Sequence, residues 1–145
     1  MQVQIKVSNI KKALKQLKTL QKDLEPDFQE IVKGGAQLIR GEAIKSIQSG
    51  AKSGIVYEKY NPRRTHTSSS QGQAPASDTG FLASNIAFNV KEGGMVAEVE
   101  SKAKYSKFLE FGTQNMKARP FMFPALEENK PRIRRMFATT KGKAK

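Results

Sequence analysis

The chain has 145 residues, 26 lysines and arginines against 13 acids, a net charge of +13, no cysteine and a single histidine. This length fits one domain with a modest core, and the missing residue types exclude disulfides and thiolate metal sites and leave almost no room for a histidine-ligated metal. The charge favours a polyanionic partner or a place beside one, while no apolar run approaches a membrane span and the polar, lysine-rich beginning does not read as a signal peptide, which predicts a product that stays in the cytoplasm of the cell that makes it.

Residues 2–7, QVQIKV, alternate with Val3, Ile5 and Val7 on one face and predict a short strand. Ser8 offers an N-cap. From Asn9 to Leu24 an apolar stripe of Ile10, Ala13, Leu14, Leu17, Leu20 and Leu24 predicts a helix. Lys11, Lys12, Lys15, Lys18 and Lys22 fall on its opposite side, as either a solvated face or one turned toward DNA phosphate. Glu25-Pro26-Asp27 predicts a break and a restart. A second helix then carries Phe28, Ile31, Val32, Gly35, Leu38, Ile39 and Ala43 to about Ile47. Gly34, Gly35 and Gly41 weaken it by about 1 kcal/mol each relative to alanine, and read as places of close backbone approach or a bend.

Residues 49–79 are polar, with Pro62, Pro75 and a Ser/Gln/Thr-rich run from Thr65 to Gln73. Too little apolar content is present to order this piece alone. It is expected to be a long arm without secondary structure, mobile in the free subunit and pinned by neighbours in an assembly. Arg63 and Arg64 can touch phosphate or water; His66 reads as a bystander. Asp78 is expected to cap a short turn or helix holding Phe81 and Leu82. Ile86, Phe88 and Val90 alternate, Glu92-Gly93-Gly94 turns, and Met95 to Glu100 returns, which predicts a hairpin. On the returning strand Met95, Ala97 and Val99 compete with Val96 for the inner face.

Lys104 to Phe111 predicts a short helix with Tyr105, Phe108, Leu109 and Phe111 as burial candidates, ended by Gly112 in a left-handed conformation. Residues 113–119 form a loop, Pro120 to Phe123 runs extended, and Pro124 opens a last helix reaching Phe137. Pro131 inside it predicts a kink or two short helices. The reading is an α+β fold: a small antiparallel sheet, made of the 84–100 hairpin, the first strand and residues near 120, against two N-terminal helices. One domain spans 1–138, with 49–79 as flexible arm, and 139–145 is a disordered basic tail.

No set of residues carries catalysis. The acids are scattered, Ser68-Ser69-Ser70 has no base in sequence reach, and Gly34-Gly35 and Gly93-Gly94 lack the lysine and serine or threonine of a phosphate loop. The expectation is no enzyme, no cofactor and no metal. No nucleic-acid-reading element has its signature here, so +13 predicts only non-specific attraction to DNA. Candidate DNA-facing residues are Lys11, Lys15, Lys18, Lys22, Arg63 and Arg64.

The densest segment is Tyr105 to Leu126, which holds four of the eight phenylalanines around two turns, Phe111-Gly112-Thr113 and Ala118-Arg119-Pro120. Such a segment is a docking surface or a core corner. Glu110 and Arg119 lie among these rings and either pair with each other, within the subunit or across to a neighbour, or each reach water. Tyr105, Phe108, Glu110, Phe111, Gly112, Thr113, Arg119, Pro120 and Phe121 are the candidate subunit-interface residues, with core packing the alternative for the aromatics.

The order Phe108-Leu109-Glu110-Phe111-Gly112-Thr113, Met116, Ala118-Arg119-Pro120-Phe121-Met122 and Pro124-Ala125-Leu126 resembles the signature of the neck or tail-completion proteins of long-tailed double-stranded DNA bacteriophages. Asp78-Thr79-Gly80-Phe81-Leu82 resembles that family's acidic-Thr-Gly-x-Leu element, and the resemblance runs over roughly residues 56–127 and more loosely over the helical N-terminus. It implies a compact structural virion protein of the neck, made in the host cytoplasm, forming a ring of six or twelve copies through which genomic DNA passes. Implied partners are the chain itself, adjacent head-closure and tail-terminator or tail-tube proteins, and DNA, with no membrane. The alternative is a non-specific DNA-binding or packaging accessory protein.

Overall fold

The computed structural model describes residues 10–49 and 52–141. The predicted strand at 2–7 and the last four residues of the basic tail lie outside the described residues. The elements are α1 (Ile10–Ser49), β1 (Val56–Tyr60), β2 (Arg63–Thr67), α2 (Phe81–Ser84), β3 (Ile86–Lys91), β4 (Val96–Ser101), α3 (Ser106–Phe111) and α4 (Met122–Lys141). The α+β class holds, built from two separate two-stranded antiparallel sheets, β1–β2 and β3–β4. Residues near 120 join neither sheet, because α4 begins there.

The two expected N-terminal helices are one helix of 40 residues, with Pro26 inside it. Pro26 removes only the bond that would reach the Lys22 carbonyl, and both residues are exposed, so water can replace it. The apolar stripe meanwhile continues in register through Leu24, Phe28 and Ile31, which rewards an unbroken axis. Pro131 likewise lies within the single helix α4 rather than dividing it. That helix also runs through Lys141, past the predicted start of the tail.

α4 returns antiparallel along α1. Phe28 stacks on Phe137 at 5.9 Å, Gly35 faces Ile133, Gly34 faces Met136, and Ala43 shares a cluster with Phe121 and Ala125. The glycine pair therefore admits side chains of α4, rather than another backbone. The core sits at the second half of α1, where Ala43, Ile47, Leu82, Ala83, Ile86, Ala103, Phe121 and Ala125 are buried together. It is rich in alanine and small. The β3–β4 hairpin pairs Phe88 with Val99 and Val90 with Ala97. Ala97 and Val99 face inward and Val96 outward, which settles the competition on β4. Arg40 Nε donates to the Ile86 carbonyl at 2.7 Å and Gln29 Nε2 to the Gly93 carbonyl at 2.7 Å, so both ends of the hairpin are tied to α1.

The 49–79 tract carries a hairpin that the sequence reading missed. β1 and β2 meet at a two-residue turn, Asn61-Pro62, and pair Tyr57 with His66 and Lys59 with Arg64. Its polar flanks are held by specific bonds instead of apolar burial. Lys52 Nζ donates to the Ser46 and Ala74 carbonyls at 3.0 and 2.8 Å, and burial holds its pKa below the ordinary lysine value. Gln73 Oε1 accepts from the backbone N–H of Ser53 and Ser70. Such bonds leave no periodic trace in a sequence.

Two glycines of α1 should behave oppositely. A Cβ at Gly35 would lie 3.3 Å from Ile133 Cδ1, whereas one at Gly41 meets nothing within 4 Å. Gly35→Leu should therefore destabilise by about 1–3 kcal/mol through overpacking. Gly41→Ala should stabilise by up to about 1 kcal/mol through helix propensity. Urea unfolding followed by circular dichroism reads both.

Candidate assembly surface

The Phe-rich segment is organised around one carboxylate. The backbone N–H groups of Phe121 and Met122 donate to Glu110 Oε2 at 2.9 and 3.1 Å, and that of Phe123 to Oε1 at 2.8 Å. A helix leaves its first four N–H groups without internal partners. Here Glu110 takes three, and Pro124, the fourth residue, has none to offer. The negative charge also lies at the favourable end of the α4 dipole. The Glu110–Arg119 pair weighed from sequence is not formed in the subunit, because both Glu110 oxygens serve α4. Arg119 instead sends Nη1 to the buried Ser69 Oγ at 3.2 Å, and its backbone N–H donates to the Leu109 carbonyl at 2.7 Å.

The loop between α3 and α4 folds back on the end of α3. Thr113 N–H donates to the Met116 carbonyl at 2.8 Å, closing a turn. Gly112 ends α3 with φ 78 and ψ −177, positive φ but extended rather than left-handed helical. A Cβ there would lie 2.8 Å from the Met116 carbonyl oxygen and 2.9 Å from the Ala118 nitrogen, so both conformation and space require glycine.

This arrangement sorts the aromatics. Phe121 is 1 % exposed and belongs to the core of the subunit, the alternative weighed for the aromatics. Phe111 is 82 % and Phe123 63 % exposed. With Ile39, Val99, Met122 and Leu126 they line an open apolar groove of about 560 Å³, with Glu110 beside it. Tyr105 and Phe108 are exposed; Tyr105 stacks on Phe81 at 6.3 Å, and Lys107 Nζ stands 5.0 Å over the Phe108 ring. Thr113 is exposed and Pro120 half-buried. Sequence reasoning missed Phe123, Leu126 and Ile39 as partners of Phe111. The i, i+3 spacing of Phe123 and Leu126 at the start of a helix was the available signal; Ile39 comes from α1 and had none.

Asp78 does not cap α2. Gly80 precedes that helix with no side-chain cap. The Asp78 carboxylate instead bonds Lys59 and Arg64, the latter at 2.8 Å, and so clamps the β1–β2 hairpin. The hydrogen bond from Lys59 is the first cause holding its carboxyl below the usual aspartate range, with the charges of Lys59, Arg64 and His66 adding to it. Arg64 is thereby engaged, while Arg63 is exposed. Lys15, Lys18 and Lys22 are exposed on α1, and the Lys11 side chain lies outside the description. The two groups of basic residues sit on separate elements. Among the described residues no cluster of three or more His, Cys, Asp or Glu is placed to hold a metal, and no helix is long and apolar enough to cross a membrane.

A family model described as "Bacteriophage HK97-gp10, putative tail-component" matches residues 11–112. The chain belongs to this bacteriophage tail-component family. The match takes in α1, both hairpins and α3, and ends at the glycine that terminates α3. The Arg119-Pro120-Phe121 segment lies beyond it, joined to the tail-component region through Glu110. The comparisons with curated proteins and with solved structures find no match.

Removing the carboxylate tests the cap. Glu110→Ala leaves three donors unpaired and should cost about 1–3 kcal/mol, with Glu110→Gln between it and the wild type in denaturant unfolding. A pH series tests the Asp78 clamp. A depressed carboxyl pKa contributes stability that is complete above the unfolded value, about 3.9, and is lost as pH falls through the lower native value. The stability difference between wild type and Asp78→Asn should therefore be constant near neutral pH and shrink toward zero in acid.

Proposed function

We propose that this tail component is a structural subunit of the virion neck, which assembles with copies of itself into a ring, completes the tail for joining to the head, and lets genomic DNA pass. The single observation that carries this reading is the imbalance of apolar surface. Sixteen large apolar side chains are exposed, against ten buried apolar residues, seen among the described residues. Clustered exposure on this scale marks interaction surfaces. The groove between Phe111 and Phe123 is its best-formed part, since its walls are held rigidly by the Glu110 cap and by core residue Phe121. Exposed Arg63, Arg132, Arg134 and Arg135 supply positive charge for non-specific contact with DNA.

Disrupting this gene alone in its phage or prophage should leave DNA-filled heads beside separate tails in electron micrographs of the lysate. Joined, normal virions would overturn the neck assignment. Tight, steeply salt-dependent DNA binding by the isolated subunit would then bring the packaging-accessory reading forward. At residue level the two phenylalanine types should separate. Phe121→Ala should cost about 3–5 kcal/mol and unfold the subunit, whereas Phe111→Ser should leave the thermal midpoint unchanged and fail to complement the disrupted gene.

A further inference from the structure

The groove beside Phe111 and Phe123 borders a sheet edge. On that side it is lined by Ala97 and Val99 of β4 and by no residue of β3. Among the described residues β4 pairs only with β3, so the groove runs along the other, free edge of β4. The Lys102 N–H donates to the Asn85 carbonyl at 2.9 Å, one step beyond the Ile86–Ser101 pair of the ladder. Facing pairs in an antiparallel ladder alternate between bonded and non-bonded. Ser101, Val99 and Ala97 therefore turn their N–H and carbonyl groups away from β3. Among the described residues, none of these groups meets another partner. The side chains of Ala97 and Val99 enter the groove, whose other apolar walls are Ile39 of α1 and Met122, Phe123 and Leu126 of α4. The opposite face of β4 is acidic, with Glu98 and Glu100 exposed. Donors and acceptors along the edge, an apolar wall on one side and carboxylates on the other make a place for one more strand, about 4.8 Å from β4.

We infer that residues 2–7 of a second copy of this chain add to β4 as a third strand, with Val3, Ile5 and Val7 in the groove. Their sequence, QVQIKV, alternates at the period a strand needs. With the three apolar side chains turned inward, Gln2, Gln4 and Lys6 share the outer face with Glu98 and Glu100. Lys6 is the only charge of the segment, and it is opposite in sign to that face, as a favourable cross-strand pair requires. Reach decides which copy supplies the strand. Ile39 stands 29 residues along α1 from Ile10, about 44 Å at 1.5 Å per residue. The eight steps from Ile10 back to Gln2 span at most about 29 Å even fully extended. The segment therefore falls short of the groove of its own subunit. Donor and acceptor lie far apart on one chain, so each copy can give a strand and receive one, and repetition of that contact builds a closed ring or a filament. This rests on the self-assembling reading above and names the segment and the edge it uses.

The chain has no cysteine, so an introduced pair reports this contact alone. Full-length protein carrying Leu126→Cys is mixed in turn with Val3→Cys, Gln4→Cys, Ile5→Cys, Lys6→Cys and Val7→Cys, and mixed disulfides are followed by mass spectrometry. Linkage from at least one of positions 3, 5 and 7 should be about 10-fold or more faster than from 4 or 6, since successive strand side chains point to opposite faces. Equal rates at all five positions, or no mixed disulfide, overturn the inference. So does a disulfide within one chain in the Ile5→Cys, Leu126→Cys double variant. Sedimentation gives a second reading. Ile5→Lys and Leu126→Lys should each self-associate at least about 10-fold more weakly than wild type, because a charge enters the apolar groove. Ala97→Pro removes an edge N–H that bonds nothing in the subunit and should act in the same direction. Circular dichroism checks that each variant stays folded, and if Ala97→Pro does not fold the two lysine variants decide. Wild-type-like association of either lysine variant overturns the inference, as does a wild type that stays monomeric. If the wild type is monomeric and Leu126→Lys still fails to complement the disrupted gene, the groove receives another virion protein and the inference falls. The neck reading is judged separately by the micrographs of the gene disruption.

Discussion

One carboxylate bonded to three backbone N–H groups fixes the half of the molecule that carries the proposed assembly surface. Glu110 sits at the end of α3, and its acceptors are aimed at the first turn of α4. The bond set determines where α4 starts and which way it leaves. Phe121, at the boundary, is thereby driven into the core, while Phe111 and Phe123 on either side are held outside it. A charged side chain inside an aromatic segment would be costly without full pairing; here its pairing is also what gives the segment a shape. Gly112 is the geometric counterpart, since the loop passes too close to it for any side chain.

The second constraint is the length of α1. A helix of 40 residues extends about 60 Å, far longer than the small alanine-rich core at its second half needs. α4 and the β3–β4 hairpin cover that second half, while residues 14–23 are exposed. The subunit is thus a compact body with a projecting amphipathic rod, and a grooved aromatic surface on the body. Family membership among phage tail components gives this shape a context; in the proposed ring, repeated contacts between copies would cover apolar surface that one copy exposes.

Legibility in the sequence followed the kind of force involved. The β3–β4 hairpin was readable, turn included, because apolar alternation and a Gly-Gly turn both leave local marks. The apolar stripes of α1 were readable too, but their continuity through Pro26 was not, since a proline's local effect can be outweighed by burial further along the helix. The β1–β2 hairpin was invisible for the opposite reason. Its residues are polar, and what orders them is a set of long-range bonds, from Lys52 to Ala74 and from Asp78 to Lys59 and Arg64. Neither composition nor periodicity encodes which partner a polar side chain finds.

The amino-acid sequence alone determined the α+β class, the apolar stripes of the helices, the absence of cysteine chemistry, the net charge, and the motifs that carry the family resemblance. These depend on local propensity, periodicity and residue type, all of which are written along the chain. Only the tertiary structure decided that Glu110 caps α4 rather than pairing with Arg119, that Asp78 clamps a hairpin rather than capping α2, and that Phe121 is core while Phe111 is surface. Each of those outcomes depends on which groups arrive within about 3 Å of one another after the chain has folded. That distance is set by packing between elements far apart in sequence.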